Sequence, residues 1–222
     1  QKSFIRLINS GSEDSFVTIN GIDDAGQIGP NGNVSLTLTA GQSIDLSAAD
    51  LEQGNAALPL NGLLGVGTGR WRLDVVSTPQ ISVMSYVLTS AGFLSNMSEV
   101  TGVPSTSNRV WIFNPGSNFN QASKLRIINN GSSEAAISVS GIDDAGDAGP
   151  GVDLTFNLSS GSVKEITALE LENGSSEKGL AGGIGDGKGK WRLTITSNEA
   201  VTVQSLLETP TGFITNLSTQ VE

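Results

Sequence analysis

The 222-residue sequence predicts an all-β fold: two tandem antiparallel β-sandwich domains related by internal duplication, each with one short helical turn. Three observations predict it. Displacing the chain by 120 positions sets Ser3–Val100 on Ser123–Gln220 without a gap, with about 36 of the 98 pairs identical. Apolar and polar residues alternate with period two through most segments between turns. Clusters of Gly, Asn, Asp and Pro break these runs roughly every ten residues. A period near 120 is longer than that of the common solenoids and propellers, so each copy reads as an independent domain.

In the first copy, residues 1–102, the alternating sets are Ile5/Leu7, Val17/Ile19, Val34/Leu36/Leu38, Trp71/Leu73/Val75 and Ile81/Val83. The second copy, residues 123–222, repeats them as Leu125/Ile127, Ile137/Val139, Leu154/Phe156/Leu158, Trp191/Leu193/Ile195 and Val201/Val203/Ser205. Side chains two apart share one face of a strand, so each set is the buried face of a half-exposed strand. The helical turns lie at Ser47–Gly54 and Thr167–Gly174. Ser47 and Thr167 are N-caps, Asp50 and Glu170 complete capping boxes, and Gly54 and Gly174 end the turns in a left-handed conformation.

Residues 103–122 form a linker whose centre, Arg109–Phe113, reads as a strand, followed by an Asn-Pro-Gly-Ser-Asn turn. If that strand belongs to the second copy, the first lacks its counterpart, since only Gln1 and Lys2 precede the first aligned strand. Two readings follow: a chain cut short at its start, or a linker strand that packs on both copies.

Composition narrows the chemistry. With no cysteine and no histidine, the chain has no disulfide, thiolate nucleophile, His-based triad or ordinary zinc site. The net charge of −10 is spread over both copies, and no basic tract or long apolar stretch breaks it. Nucleic acid and membrane insertion are therefore disfavoured as partners. No secretory apolar region opens the chain at Gln1-Lys2-Ser3, yet low charge content with abundant Ser, Thr, Asn and Gly suits a secreted or cell-surface protein.

The most conspicuous element, Gly21-Ile-Asp-Asp-Ala-Gly26, recurs letter for letter at residues 141–146. Asp23, Asp24, Asp143 and Asp144 have two readings. In the first they form a turn, their carboxylates satisfying local N–H groups or pairing with Arg6/Arg126 or Arg72/Arg192. In the second they bind calcium, the glycines letting carbonyls close around a hard cation, although the spacing is not that of an EF-hand. Adjacent aspartates on a strand diverge to opposite faces, and no second acidic cluster is spaced to face them, which weighs against glycoside hydrolysis.

Trp71 and Trp191 share strand faces with aliphatic residues and read as core. Trp111, outside the repeat and beside Asn114, Asn118 and Asn120, is the candidate exposed contact for a ligand. Glycine-rich runs at 62–69 and 182–189 precede the core tryptophans; a strand follows each, so they read as loops entering the sheet rather than as phosphate cradles. Asp186 and Lys188 of the second run have no counterpart in the first.

The linked motifs "FNPGSNFNQASKLRIINNGSSEAAISVSGIDDAG", "GIGDGKGKWRLTI" and "TPTGFITNLS" resemble tandem accessory repeats of large secreted proteins of Gram-negative bacteria, repeats found near C-termini and sometimes beside hydrolase domains. The resemblance implies an extracellular, non-catalytic accessory module attached to a parent catalytic or adhesin domain. The function expected is polysaccharide binding without cofactor, through Trp111, Asn114, Asn118, Asn120, Lys188 and Arg192, with duplication raising avidity. A structural spacer or protein-contact module is the alternative, and a glycan-active enzyme the third reading.

Overall fold

The computed structural model describes residues 1–97 and 103–218. The fold is all-β with two short helices, and the chain divides into two compact units, Gln1–Glu99 and Val100–Glu222.

The first unit comprises β1 (Lys2–Ile8), β2 (Ser15–Ile22), β3 (Val34–Leu38), β4 (Ser43–Ser47), α1 (Ala48–Gln53), β5 (Arg72–Thr78), β6 (Ser82–Leu88) and β7 (Leu94–Asn96). One antiparallel sheet has the order β4-β1-β6-β7 and the other β3-β2-β5. Ile5, Leu7 and Leu46 from the first sheet meet Val17, Ile19, Val34, Leu36 and Leu38 from the second in one buried cluster. Two sheets each apolar on one face bury those faces against each other, which is the physical basis of a sandwich.

The second unit comprises β8 (Ser105–Phe113), β9 (Ala122–Asn129), β10 (Ala135–Ile142), β11 (Val152–Leu158), β12 (Val163–Thr167), α2 (Ala168–Asn173), a 3-10 turn at Ser176–Lys178, β13 (Ala181–Gly183), β14 (Trp191–Glu208) and β15 (Ile214–Asn216). Where the alternation suggests two strands, β14 is one continuous strand of 18 residues. Its first half pairs with β10 and its second with β9, so a single eight-stranded sheet folds over its own core. In the first unit the same stretch is interrupted at Pro79, which has no N–H to give a ladder, whereas Glu199 stands at the matching place in β14.

The strand at 103–122 is longer than its sequence signal and pairs with the first half of β14, setting Phe113 opposite Trp191, Val110 opposite Leu193 and Arg109 opposite Thr194. It thus belongs to the second unit. The matching edge of β5 has no such neighbour among the described residues.

Both helices carry the expected capping boxes: Ser47 Oγ accepts from the Asp50 amide and Thr167 Oγ1 from the Glu170 amide, and the acids reach back to the cap amides. Gly54 and Gly174 do take positive φ, but with ψ of 166° and 179°, so the turns end in an extended glycine conformation instead of the left-handed one. Two buried asparagines close equivalent corners. Asn9 Nδ2 donates to Glu13 O (2.8 Å) and Leu38 O (3.0 Å), and Asn129 Nδ2 to Ser133 O (2.8 Å) and Leu158 O (2.9 Å). Each ties the end of its unit's first repeat strand to the end of the third, which satisfies carbonyls that burial would otherwise leave bare.

Candidate functional site

The repeated aspartates act as a backbone clamp. Asp23 Oδ1 accepts from the amides of Ala25 (3.0 Å) and Gln27 (2.8 Å), and its Oδ2 from that of Thr68 (2.8 Å). Asp143 does the same with Ala145 (2.9 Å), Asp147 (3.0 Å) and Lys188 (2.8 Å). Asp24 Oδ2 takes the Arg70 amide (3.0 Å) and Asp144 Oδ2 the Lys190 amide (2.8 Å). The pair therefore fastens the turn after β2 or β10 to the glycine-rich run that enters β5 or β14. These bonds come from backbone amides, so the clamp is present in both units although Thr68 stands in the first where Lys188 stands in the second.

Two of the four arginines have partners other than the paired aspartate carboxylates. Arg6 pairs with Asp45 (2.8 Å), and Arg192 reaches the backbone carbonyl of Asp143 (3.4 Å) rather than a carboxylate. Among the described residues no group of three or more His, Cys, Asp or Glu side chains is placed to hold a metal ion. Burial pushes the Asp23 carboxyl up, but the amides of Thr68, Gln27 and Ala25 outweigh it and hold the group below its ordinary range. At Asp143 the Lys188 amide leads, against a smaller opposing effect of burial, and the result is again a lowered value. A carboxylate titrating lower when folded contributes its stabilisation in full above about pH 4 and loses it as pH falls through the depressed value. One set of melting curves checks both points: the melting temperature is expected to be unchanged by calcium or chelator at pH 7, and to drop on acidification below the carboxylate range. A rise with calcium would restore the metal reading.

The glycine-rich runs serve the tryptophans. A Cβ at Gly67 or Gly187 would come within 2.4 Å of a ring carbon of Trp71 or Trp191, so a residue without a side chain is required where the indole lies on the loop. Both indoles also find an acid that sequence reasoning left without a role. Trp71 Nε1 donates to Glu52 Oε1 (2.8 Å) and Trp191 Nε1 to Glu172 Oε1 (3.0 Å). In the second unit the Gly116 amide, just beyond β8, also donates to Glu172 (3.0 and 3.1 Å to its two oxygens). The identity of Leu51-Glu52 and Leu171-Glu172 across the repeat is the signal that marked these acids; their partner lies 19 residues away, out of reach of local pattern.

Trp111 stands apart from this buried machinery. It is 54% exposed, with the Arg109 guanidinium 5.9 Å from its ring centroid, a cation–π distance. Arg109 lies opposite Thr194 on β14, and Arg192 of β14 lies opposite Ile142 on β10. Trp191, Leu193 and Ile195 fill the core, so by strand alternation Arg192 and Thr194 face outward beside Arg109 and Trp111. The fold thus gathers Trp111 and Arg192 on one outer sheet face, with Ile142 45% exposed at its margin.

The other candidates separate. Asn114 is 2% exposed; its backbone amide meets Ser123 Oγ (2.9 Å) and its Nδ2 meets Gln121 O (2.8 Å). It closes the loop after β8 and offers nothing to a ligand, a correction that follows from the carbonyl it must satisfy. Asn118 Oδ1 accepts the Gln121 amide (3.1 Å), while Asn120 is exposed. Lys188 lies on the clamped loop with its ammonium 3.6 Å from Asp147, an exposed pair. No protein-family model matches the chain, nor does any curated protein or solved structure.

Proposed function

We propose that the chain is a non-catalytic accessory module of a secreted or cell-surface protein, and that it binds polysaccharide on the outer face of β8 and β14. The observation that carries this reading is the contrast among the three tryptophans. Trp71 and Trp191 are committed to glycine floors and glutamate acceptors, whereas Trp111 presents a half-exposed indole beside Arg109, with Arg192 on the same outer sheet face and turned to the Asp143 carbonyl. An indole face packs on the C–H face of a sugar ring, and guanidinium groups beside it donate to hydroxyls in fixed geometry. Because Trp111 lies outside the duplicated segment, the reading gives one binding face on the second unit, not two.

Affinity electrophoresis on a panel of neutral and acidic polysaccharides tests it. Retardation on at least one glycan is expected, and Trp111→Ala is expected to abolish it while leaving the melting temperature close to that of the parent. Absence of retardation on every member would favour the spacer reading, and release of shortened products would favour an enzyme.

A further inference from the structure

β8 is irregular where it meets β14. Trp191 lies opposite Phe113 and Leu193 opposite Val110, so Trp111 and Ile112 together face the single residue Arg192. This is a β-bulge, an extra residue that re-aims side chains. In a regular strand one of the two would enter the core between Val110 and Phe113; here both stay outside, 54% and 51% exposed. On its other side Arg192 lies opposite Ile142, and the next outward row sets Arg109 opposite Thr194 and Thr194 opposite Ser140. The outer face is thus an apolar floor with a guanidinium in each of its two rows.

Neither guanidinium has a carboxylate partner among the described residues. Arg6, Lys124, Lys178 and Lys188 are paired with acids. The Arg109 side chain meets the Trp111 ring, and that of Arg192 meets the Asp143 carbonyl at 3.4 Å, an uncharged acceptor at a long distance. The nearby carboxylates are spent on backbone, Asp143 on three amides and Asp144 on that of Lys190. Asp153 of β11 is held by Ser138 Oγ (3.1 Å) and stands two strands from β14, roughly 10 Å away. Where the first unit carries an exposed aspartate, Asp74, the second has Thr194. In a chain of net charge −10, this face gathers positive charge with no acid to meet it.

We infer that the ligand of this face is an acidic polysaccharide whose sugars carry carboxylates, as uronic acids do; the inference rests on the binding face proposed above. Trp111 and Ile112 take the C–H face of a ring, and Arg109 and Arg192 take its carboxylate, which the planar guanidinium fork matches. A neutral glycan would make no use of either charge. Duplex nucleic acid fits poorly, since one charge per roughly 1.7 Å would press phosphates against Asp144 and Asp153 around so small a patch.

Binding of the full chain to immobilised polygalacturonate, alginate and hyaluronate tests this, each beside its methyl ester and in EDTA, with dextran, dextran sulfate and duplex DNA as further probes. At least one carboxylated polymer is expected to bind about tenfold or more tightly than its ester, the scale of one charge-assisted hydrogen bond. Thr194→Asp, which gives the face the acid found in the first unit, should weaken that binding about tenfold or more and binding to the ester less than about twofold. Thr194→Asn, similar in size but uncharged, should stay near the parent. An ester that binds as tightly as its acid, or equal losses on both from Thr194→Asp, would overturn the carboxylate assignment and leave the binding face standing. So would tighter binding to dextran sulfate or DNA than to any carboxylated polymer, the mark of a general polyanion site. Binding to no glycan at all, neutral or acidic, would remove the face itself and the inference with it.

Discussion

Replacing Trp191 by alanine is expected to destabilise the second unit by about 3–5 kcal/mol, the range for emptying a buried aromatic site. Trp191 has no exposed surface, packs on Gly187 and is sealed from outside by Phe113. Its neighbours cannot close the gap without breaking the β8 and β10 ladders that flank β14, so the cavity term adds to the lost transfer energy. Trp71→Ala should cost clearly less, since that indole is already part exposed and its edge is uncovered. Denaturant unfolding of the full chain, with exchange resolved by unit, compares the two directly. Equal losses would mean that β8 does not seal Trp191 as its burial indicates.

The second large effect is expected at Glu172. It is 6% exposed and accepts both the Trp191 indole and the Gly116 amide. Glu172→Ala leaves two donors without an acceptor in a site water reaches poorly, a cost of roughly 2–4 kcal/mol. Glu52→Ala removes one hydrogen bond in a more open site, so a loss of about 1 kcal/mol is expected there. Glu172→Gln retains one acceptor oxygen and should fall between. The checks are melting temperature together with exchange of the Gly116 amide, which should quicken in Glu172→Ala and stay near the parent rate in Glu52→Ala.

The strands were legible because burial is one-sided. In Ser15–Ile22 and Ala135–Ile142 every second residue is buried, and that regularity appears directly as alternating hydrophobicity. The caps were legible because a capping box is a local pattern of three or four residues. Ser43–Ser47 and Val163–Thr167 carried no such signal, since each buries one residue, Leu46 or Ile166. The continuity of β14 was missed because Asn198-Glu199-Ala200 interrupts the apolar alternation without interrupting the backbone. At the candidate site, Trp111 and Arg192 could be singled out by type, but their shared face depends on the register of β8 against β14. Asn114 shows the converse: a polar residue in a turn reads as exposed until the carbonyl it serves is known.

Pro79 and Glu199 occupy one position of the repeat, yet they give the two units different mechanical designs. The eighteen residues of β14 run as a common spar through the second unit, hydrogen-bonded to β8 and β10 along one half and to β9 along the other. The first unit has a joint at that place, and its two sheets are bound to each other chiefly by the side chains between them. Matching sequence positions thus lie in one uninterrupted strand in the second unit and in two strands of separate sheets in the first.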